Sequence, residues 1–387
     1  MSVIKIDNLE VSNMQGLTYK GSGVDYDAMD PFKRMCQLAG RGTAHNAERL
    51  GFFEYGFSRG ESAFLLETLE FYLAHVEEGL GTKNLVADAM YKLTGKSYYD
   101  TIAQDTVAMI VNDMITLGAL PISVAMHLAV GDSSWFDDEQ RIQDLVNGWK
   151  NACDLAGCVW AGGETSTLRD MVHPNTAVLS GSAVGIIQPK ARLISPRDIR
   201  DGDIIVLLGS SGIHANGLTM ARKIAQQLEG THVSQHGYLT RIDDSTYGAC
   251  LLEPTVIYVP IIEKCLTEGV EIHYLVNITG HGWRKLMRPI DPFVYRIKHI
   301  PHHPHPVFKF MQTLGPISDE EAYGNLNMGA GFAIYAPPSE VNKIILIARE
   351  FGISALPAGE IRKEGIQKKV IIEPKNLEYT AETLQVR

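Results

Sequence analysis

The sequence has no surplus of basic residues, no cysteine spacing that would hold a metal, and no apolar run approaching the ~18 residues of a membrane span. Its 35 Lys and Arg face 45 Asp and Glu, a formal net charge of -10. Such a balance repels phosphate backbones and anionic lipid surfaces, so nucleic acid and membrane are poor partners. A polyphosphate ligand must therefore be held locally, by backbone N–H groups, a few basic side chains and a divalent cation. Five cysteines, Cys36, Cys153, Cys158, Cys250 and Cys265, are scattered and odd in number, without a CxxC pair. That excludes the usual zinc or redox spacing and fits a reduced, cytoplasmic setting. The N-terminus carries Lys5 and Asp7 without an uninterrupted apolar core, so no export signal is expected.

Internal repeats and low-complexity tracts are also missing, and so are the generic nucleotide motifs. A P-loop ending in Gly95 to Ser97 needs glycine at position 90, where Met90 stands. GxGxxG fails at "GSGVDY" and at "GLGTKN", and the nucleophile elbow fails at "GSSGI", where Ile213 takes the last place. Kinase, Rossmann and α/β-hydrolase readings lose support.

What is present is a globular composition, 45% hydrophobic and 21% charged, over 387 residues. One core rarely serves that length, so two domains are expected. From Met1 to about Gly60 the text is polar and turn-rich and reads as a mobile arm. From Asp105 to Ala119, Val107, Ile110, Val111, Met114 and Leu117 fall at helical spacing. On that helix Asp105 and Asn112 come out only about 20° apart, so an acid and an amide look the same way. Arg141 to Gly157 reads as an amphipathic helix and Thr176 to Ile187 as a strand, with "AGGET" between them. The polar stretch Gln188 to Asp203, with two prolines, is the best boundary. It divides the chain into domains 1–187 and 188–387. The second half opens on a strand at Ile204 to Leu208, the loop "GSSGIHANG" (Gly209 to Gly217) and a helix from about Leu218. Strand, glycine-serine loop and helix N-terminus make an anion site, because unpaired N–H groups and the positive dipole end converge there. A helix at Glu340 to Phe351 and a strand near Lys369 to Ile372 are expected further on. His302, His303 and His305 sit among prolines ahead of an apolar helix, and Cys153 and Cys158 flank a helix end as small core residues.

The glycine-bearing pieces form an ordered set: "YKGSGVD", "EGLGTK", "QDTVAMIVNDM", "AGGET", "GSSGIHANG", "NITGHGW" and "NMGAG". In that order and spacing the chain resembles the aminoimidazole ribonucleotide synthetase family of PurM-like proteins, from Tyr19 to about Ala336. The resemblance implies an α+β fold of two α/β domains, with the N-terminal sheet forming a barrel across a homodimer interface. It implies ATP and Mg2+ as cofactors and a small ribonucleotide as substrate. ATP-binding residues carried over are Lys20, Gly79, Gly81, Thr82, Lys83, Asn112, Asp113, Gly162, Gly163 and Glu164. Magnesium falls to Glu78 and Asp105, with Asp105 the better ligand. The substrate falls to Ser210, Ser211, Gly212, Asn216, Asn277, Thr279 and Gly280. Catalysis is expected of His214, Lys20 and Asp105, with His214 placed to donate to a charged oxygen or carry a proton. Several positions depart from the family pattern: Gly21 stands for an acid, Glu78 for aspartate, Met29 and Asp30 for glycine and asparagine, Asn277 for histidine and His281 for glycine. The stretch Arg49 to Gly60 lacks the glycine-rich run. Another ATP-dependent PurM-like kinase or synthetase, or a silent nucleotide-binding paralogue, are the rival readings.

Overall fold

The computed structural model describes residues 16–384. Short apolar runs bounded by turns give six strands: β1 (Phe53–Glu54), β2 (Phe64–Glu67), β3 (Tyr72–Gly79), β4 (Leu120–Val130), β5 (Val159–Thr167) and β6 (Ala177–Ile187). They form one sheet in the order β1-β2-β3-β6-β4-β5, antiparallel throughout except for the β4–β5 pair. Burial alternates along β6, with Ala177, Leu179, Ala183 and Ile187 inward and Val178 and Val184 outward, the period-2 pattern of a sheet covered on one face. The first half also carries helices α1 (Tyr26–Arg41), α2 (Lys83–Thr94), α3 (Tyr99–Met114) and α4 (Glu139–Ala156). Helix α3 is the central one: Val107, Ile110, Val111 and Met114 are fully buried, on the face that helical spacing predicts.

The second sheet uses β7 (Ile204–Gly209), β10 (Tyr274–Asn277), β11 (Val294–Ile297), β12 (Ala330–Ala336), β13 (Ala355–Arg362), β14 (Lys369–Ile372) and β15 (Leu377–Thr380), while β8 (Arg241–Ile242) and β9 (Ser245–Thr246) make a separate hairpin. Its order is β10-β12-β7-β13-β11-β14-β15, with β11–β14 the parallel pair. Helices α5 (Leu218–Leu228), α6 (Tyr247–Leu251), α7 (Val259–Thr267), α8 (Val307–Leu314), α9 (Asp319–Asn325) and α10 (Val341–Glu350) belong to this half. All seven residues of β12 are buried, as expected of an interior strand. The fold is thus mixed α+β with two sheets, the first ending at Ile187 and the second beginning at Ile204.

The expected arm requires correction where it is described; residues 1–15 lie outside the described residues. Instead of an unstructured stretch, residues 26–41 form α1, started by Asp25, whose carboxylate accepts from the Asp27 N–H. The helix escapes a hydrophobicity-led reading because it is laid down inside out. Its buried residue is Asp30, while Met29, Phe32, Met35 and Leu38 are exposed. Burial of its polar side follows from what it covers, the seam between the two halves.

Candidate functional site

The two halves are joined through the polar side of α3. Gln104 Nε2 donates to the Thr255 carbonyl at 3.0 Å, and the Thr255 N–H donates to Asp105 Oδ1 at 2.8 Å. Asn112 Nδ2 donates to the Val256 carbonyl at 2.8 Å and its Oδ1 accepts from the Tyr258 N–H at 2.9 Å. Asp105 and Asn112 do face the same way, as the helical spacing predicts. What they face is the backbone of residues 253–258. Asp105 is fully buried and pairs with Lys83, also fully buried, at 2.8 Å. Lys83 Nζ donates further to the Glu253 carbonyl at 2.7 Å. Burial pushes the Asp105 carboxyl up and the Lys83 ammonium down, each opposed by the partner's charge. Asp105 Oδ1 accepts from Lys83 and Thr255, while Oδ2 faces Lys83 at 2.8 Å without a hydrogen bond of its own. The expected roles of Asp105 as magnesium ligand and catalyst do not fit this placement, since a metal there would have to displace Lys83.

One residue past Asn112, Asp113 opens onto a cleft of about 660 Å3 between the halves. Strand parity turns Glu78 to the same face of β3 as the buried Val76, towards α3. Burial, then repulsion from Asp113, pushes the Glu78 carboxyl up to about 7. From the other half, Asn277 at the end of β10 donates through Nδ2 to Asp113 Oδ1 at 2.7 Å. The turn after β10 adds Thr279 and Gly280, and Asn216, two residues before α5, completes that wall. Lys285 reaches back into the cleft, donating to the Asn277 carbonyl at 3.2 Å and to Thr279 Oγ1. Burial pulls its ammonium down to about 8 against the attraction of Asp113. Two half-buried or buried carboxylates facing one another, one of them holding its proton to about neutral pH, suit a divalent cation bound with phosphate oxygens; Mg2+ takes one or two carboxylates in such sites. Among the described residues no group of three or more His, Cys, Asp or Glu gathers as a metal-holding cluster.

Helix α1 forms the outer wall, with Tyr26, Met29, Lys33 and Gln37 lining the cleft. The Tyr26 ring stacks on His281 with centroids 3.6 Å apart, and the Tyr26 hydroxyl accepts from the His281 N–H at 3.2 Å. A Cβ at Gly280 would come within 2.5 Å of that hydroxyl, so only glycine permits the approach. Asp30 Oδ2 lies 3.4 Å from His281 Nε2, and Lys33 pairs with Asp30 at 3.2 Å. Burial, with Arg284 and Lys285 beside it, pulls the His281 imidazole down to about 2, so the ring is neutral. Asp30 and His281, separate departures in the sequence, are therefore contacts of each other. Arg288 clamps the opposite rim, donating to the Gly60 carbonyl and to Ser62 Oγ.

The remaining expected residues are elsewhere. Lys20 is largely exposed and pairs with Asp25 at 2.9 Å and Asp27 at 3.3 Å, outside the cleft. Gly79 lines the cleft, and Gly81, at φ +77°, turns the chain into α2 beyond Thr82. Ser210 Oγ donates to Asn327 Oδ1 at 3.0 Å, Ser211 Oγ donates to the Pro254 carbonyl at 2.5 Å, and the Gly212 carbonyl accepts from Asn327 at 2.9 Å. His214 is buried, and its Nε2 accepts from the Ser211 N–H at 3.3 Å. Burial and nearby Lys83 pull it down to about 3, which leaves it neutral and acting as an internal acceptor that shapes the loop. Gly162, Gly163 and Glu164 lie exposed on β5, the last strand of its sheet and three places from β3. Lys285, Arg288 and Tyr26 are the cleft residues that motif reading missed; the pair of basic residues directly after "NITGHGW" was the available signal for the first.

Comparison with known proteins agrees with this architecture. The chain superposes on hydrogenase maturation protein HypE in complex with ATP with a TM-score of 0.56 at 16% identity, covering 81% of this chain and 87% of that one. On AaThiL complexed with AMPPCP and TMP the TM-score is 0.56 at 13% identity, covering 83% and 90%. At such identities the likeness defines the class, a PurM-like fold. Residues 70–187 match AIR synthase related protein, N-terminal domain, and residues 200–371 match its C-terminal domain. The protein belongs to the AIR synthase related family. Phosphoribosylformylglycinamidine cyclo-ligase of Methanocaldococcus jannaschii is 34% identical over 352 residues, 89% of this chain and 92% of the relative. The protein of the same name from Carboxydothermus hydrogenoformans is 33% identical over 367 residues, 93% and 99% of the two chains.

Proposed function

We propose that the protein catalyses the ATP-dependent closure of formylglycinamidine ribonucleotide to aminoimidazole ribonucleotide, releasing ADP and phosphate. The observation that carries this reading is the single cleft that gathers Glu78, Gly79 and Asp113 from the first half with Asn216, Asn277, Thr279 and Gly280 from the second. Cyclo-ligase relatives over nine-tenths of the chain, and fold neighbours bound to ATP and to AMPPCP, support the substrate and the nucleotide. An amide oxygen is a poor leaving group. Transfer of the γ-phosphoryl to it gives an iminophosphate, whose carbon the amidine nitrogen attacks; the C–O bond then breaks and phosphate departs. Magnesium would offset the charge on the transferring phosphoryl group, with Glu78 and Asp113 holding it. Asn277 orients Asp113 from the substrate side, Gly280 lets Tyr26 close the cleft against water, and Asn216 lies at the start of α5, where N–H groups favour an anion.

The open face of the first sheet exposes Val159, Val178 and Val184, and β5 exposes Gly162 to Glu164. We place a second copy against it, in a cytoplasmic homodimer whose paired sheets bring Gly162, Gly163 and Glu164 into contact with nucleotide. Incubation with formylglycinamidine ribonucleotide, ATP and magnesium tests the reading: ADP and aminoimidazole ribonucleotide should form in equal amounts. A second reading, an ATP-using synthetase for another small amide, is favoured by Met29, Asn277 and His281, departures that all line this cleft. ADP without ring product, or no turnover with this substrate, would turn the choice to it.

A further inference from the structure

Four lysines are candidates for contact with the phosphoryl group that passes between nucleotide and substrate, and the geometry separates them. Lys20 stands outside the cleft, tied to Asp25 and Asp27. Lys83 is fully enclosed by Asp105 and the Glu253 carbonyl. Two further lysines line the cleft: Lys33, on the outer wall and paired with Asp30 at 3.2 Å, and Lys285, which stands where the two sets of expected ligands meet. On one side are Asp113 and Glu78, whose charges act on it. On the other are Asn277 and Thr279, to which it donates. Resting on the reading above, we infer that Lys285 is the side chain that contacts the γ-phosphoryl during its transfer.

The charge pattern supports the assignment. Two carboxylates alone repel a triphosphate. A divalent cation held by them would offset that repulsion, and Lys285 would then present a positive charge to the phosphate. In the transfer, the amide oxygen attacks the γ-phosphorus, and the bond to the bridging oxygen breaks with its electron pair leaving on ADP. The amide nitrogen's proton passes to the departing ADP oxygen, and Lys285 keeps all its protons, acting as a fixed charge where equatorial oxygens gather negative density. Its hydrogen bond to Thr279 holds Nζ in place before the nucleotide arrives.

Lys285→Met, Lys285→Arg and Thr279→Val separate contact with the phosphoryl group from support of the loop. Binding of two probes, Mg–AMPPNP and Mg–ADP, is measured by calorimetry together with turnover. Loss of one charge-assisted hydrogen bond should weaken Mg–AMPPNP by about 10-fold or more and Mg–ADP by less than about 2-fold in Lys285→Met. Turnover should fall on the order of 100-fold, with the substrate KM changed by less than about 3-fold. Lys285→Arg should recover part of the AMPPNP affinity, and Thr279→Val should lose less than about 5-fold of that affinity. Equal weakening of both nucleotides, or a Thr279→Val loss as deep as that of Lys285→Met, would overturn the assignment. Should the wild-type protein form no ring product, selective loss of AMPPNP affinity still sustains the role of Lys285 and only the cyclisation fails.

Discussion

Two ionic groups lie side by side across α3 and differ in one respect. Lys83 and Asp105 are fully buried and bonded to one another, to Thr255 and to the Glu253 carbonyl. Glu78, Asp113 and Lys285 line an open cleft, where acids and bases from both halves face a space large enough for a ligand. A closed pair leaves no capacity for a ligand and its removal is felt in folding. A group open to a cleft can take a ligand, and on the proposed reading its removal is felt in chemistry. Residues from neighbouring places in the same sequence motif thus divide into a latch and a site.

Breaking the latch gives the largest expected effect. Asp105→Ala leaves the Lys83 ammonium buried without its counter-charge, which costs about 3–5 kcal/mol in comparable pairs. Chemical denaturation should show that loss directly; a loss under about 1 kcal/mol would mean that the pair is open to solvent. The cleft should answer the opposite way. Asp113→Asn should lower turnover on the order of 100-fold while changing stability by less than about 1 kcal/mol, because one oxygen remains to accept from Asn277. Retained turnover with lost stability would place Asp113 in the latch. Asn112 sharpens the boundary, being one residue from Asp113 and bonded to the Val256 carbonyl and the Tyr258 N–H. Asn112→Ala should cost about 1–3 kcal/mol of stability and leave Mg–AMPPNP affinity within about 3-fold, measured on the folded variant at low temperature.

The comparison also shows what was legible. Regular elements announced themselves wherever apolar spacing met a buried face, as in α3, β6, and the β7–loop–α5 unit. Helix α1 did not, because its buried residue is Asp30 and its apolar side faces outward. Motif residues were legible as a set, yet their division was not. Asp105 and Asp113 are both acids on one helix, and whether each meets a lysine or a cleft depends on chain segments about 150 residues away in sequence, such as Thr255 and Asn277. His214 shows the same limit: titration near neutral pH was expected from its intrinsic pKa, and enclosure with Lys83 nearby removes it. Departures from the family pattern looked independent in sequence. Stacking of His281 on Tyr26 and its approach to Asp30 tie two of them to one surface.

The smallest effect is the most specific to the cleft. In the folded protein Glu78 holds its proton to about 7, raised from 4.5 by burial first and by Asp113 second. A raised carboxyl pKa means that the native state binds more protons than the unfolded state between those values, so stability falls as pH rises through that window and is level above it. Solvent reaches the half-buried carboxylate and screens part of this, leaving a fall in Tm of about 2–4 °C from pH 5 to pH 8 without metal. On the proposed reading magnesium replaces the proton, so its addition should restore Tm at pH 8 and do little at pH 5. Glu78→Gln should remove both the pH slope and the magnesium response, whereas Asp105→Asn, acting on the latch, should lower Tm at every pH and leave the response in place. Scanning Tm against pH with and without magnesium reads all three. A magnesium response that survives Glu78→Gln would move the cation away from the β3–α3 carboxylates.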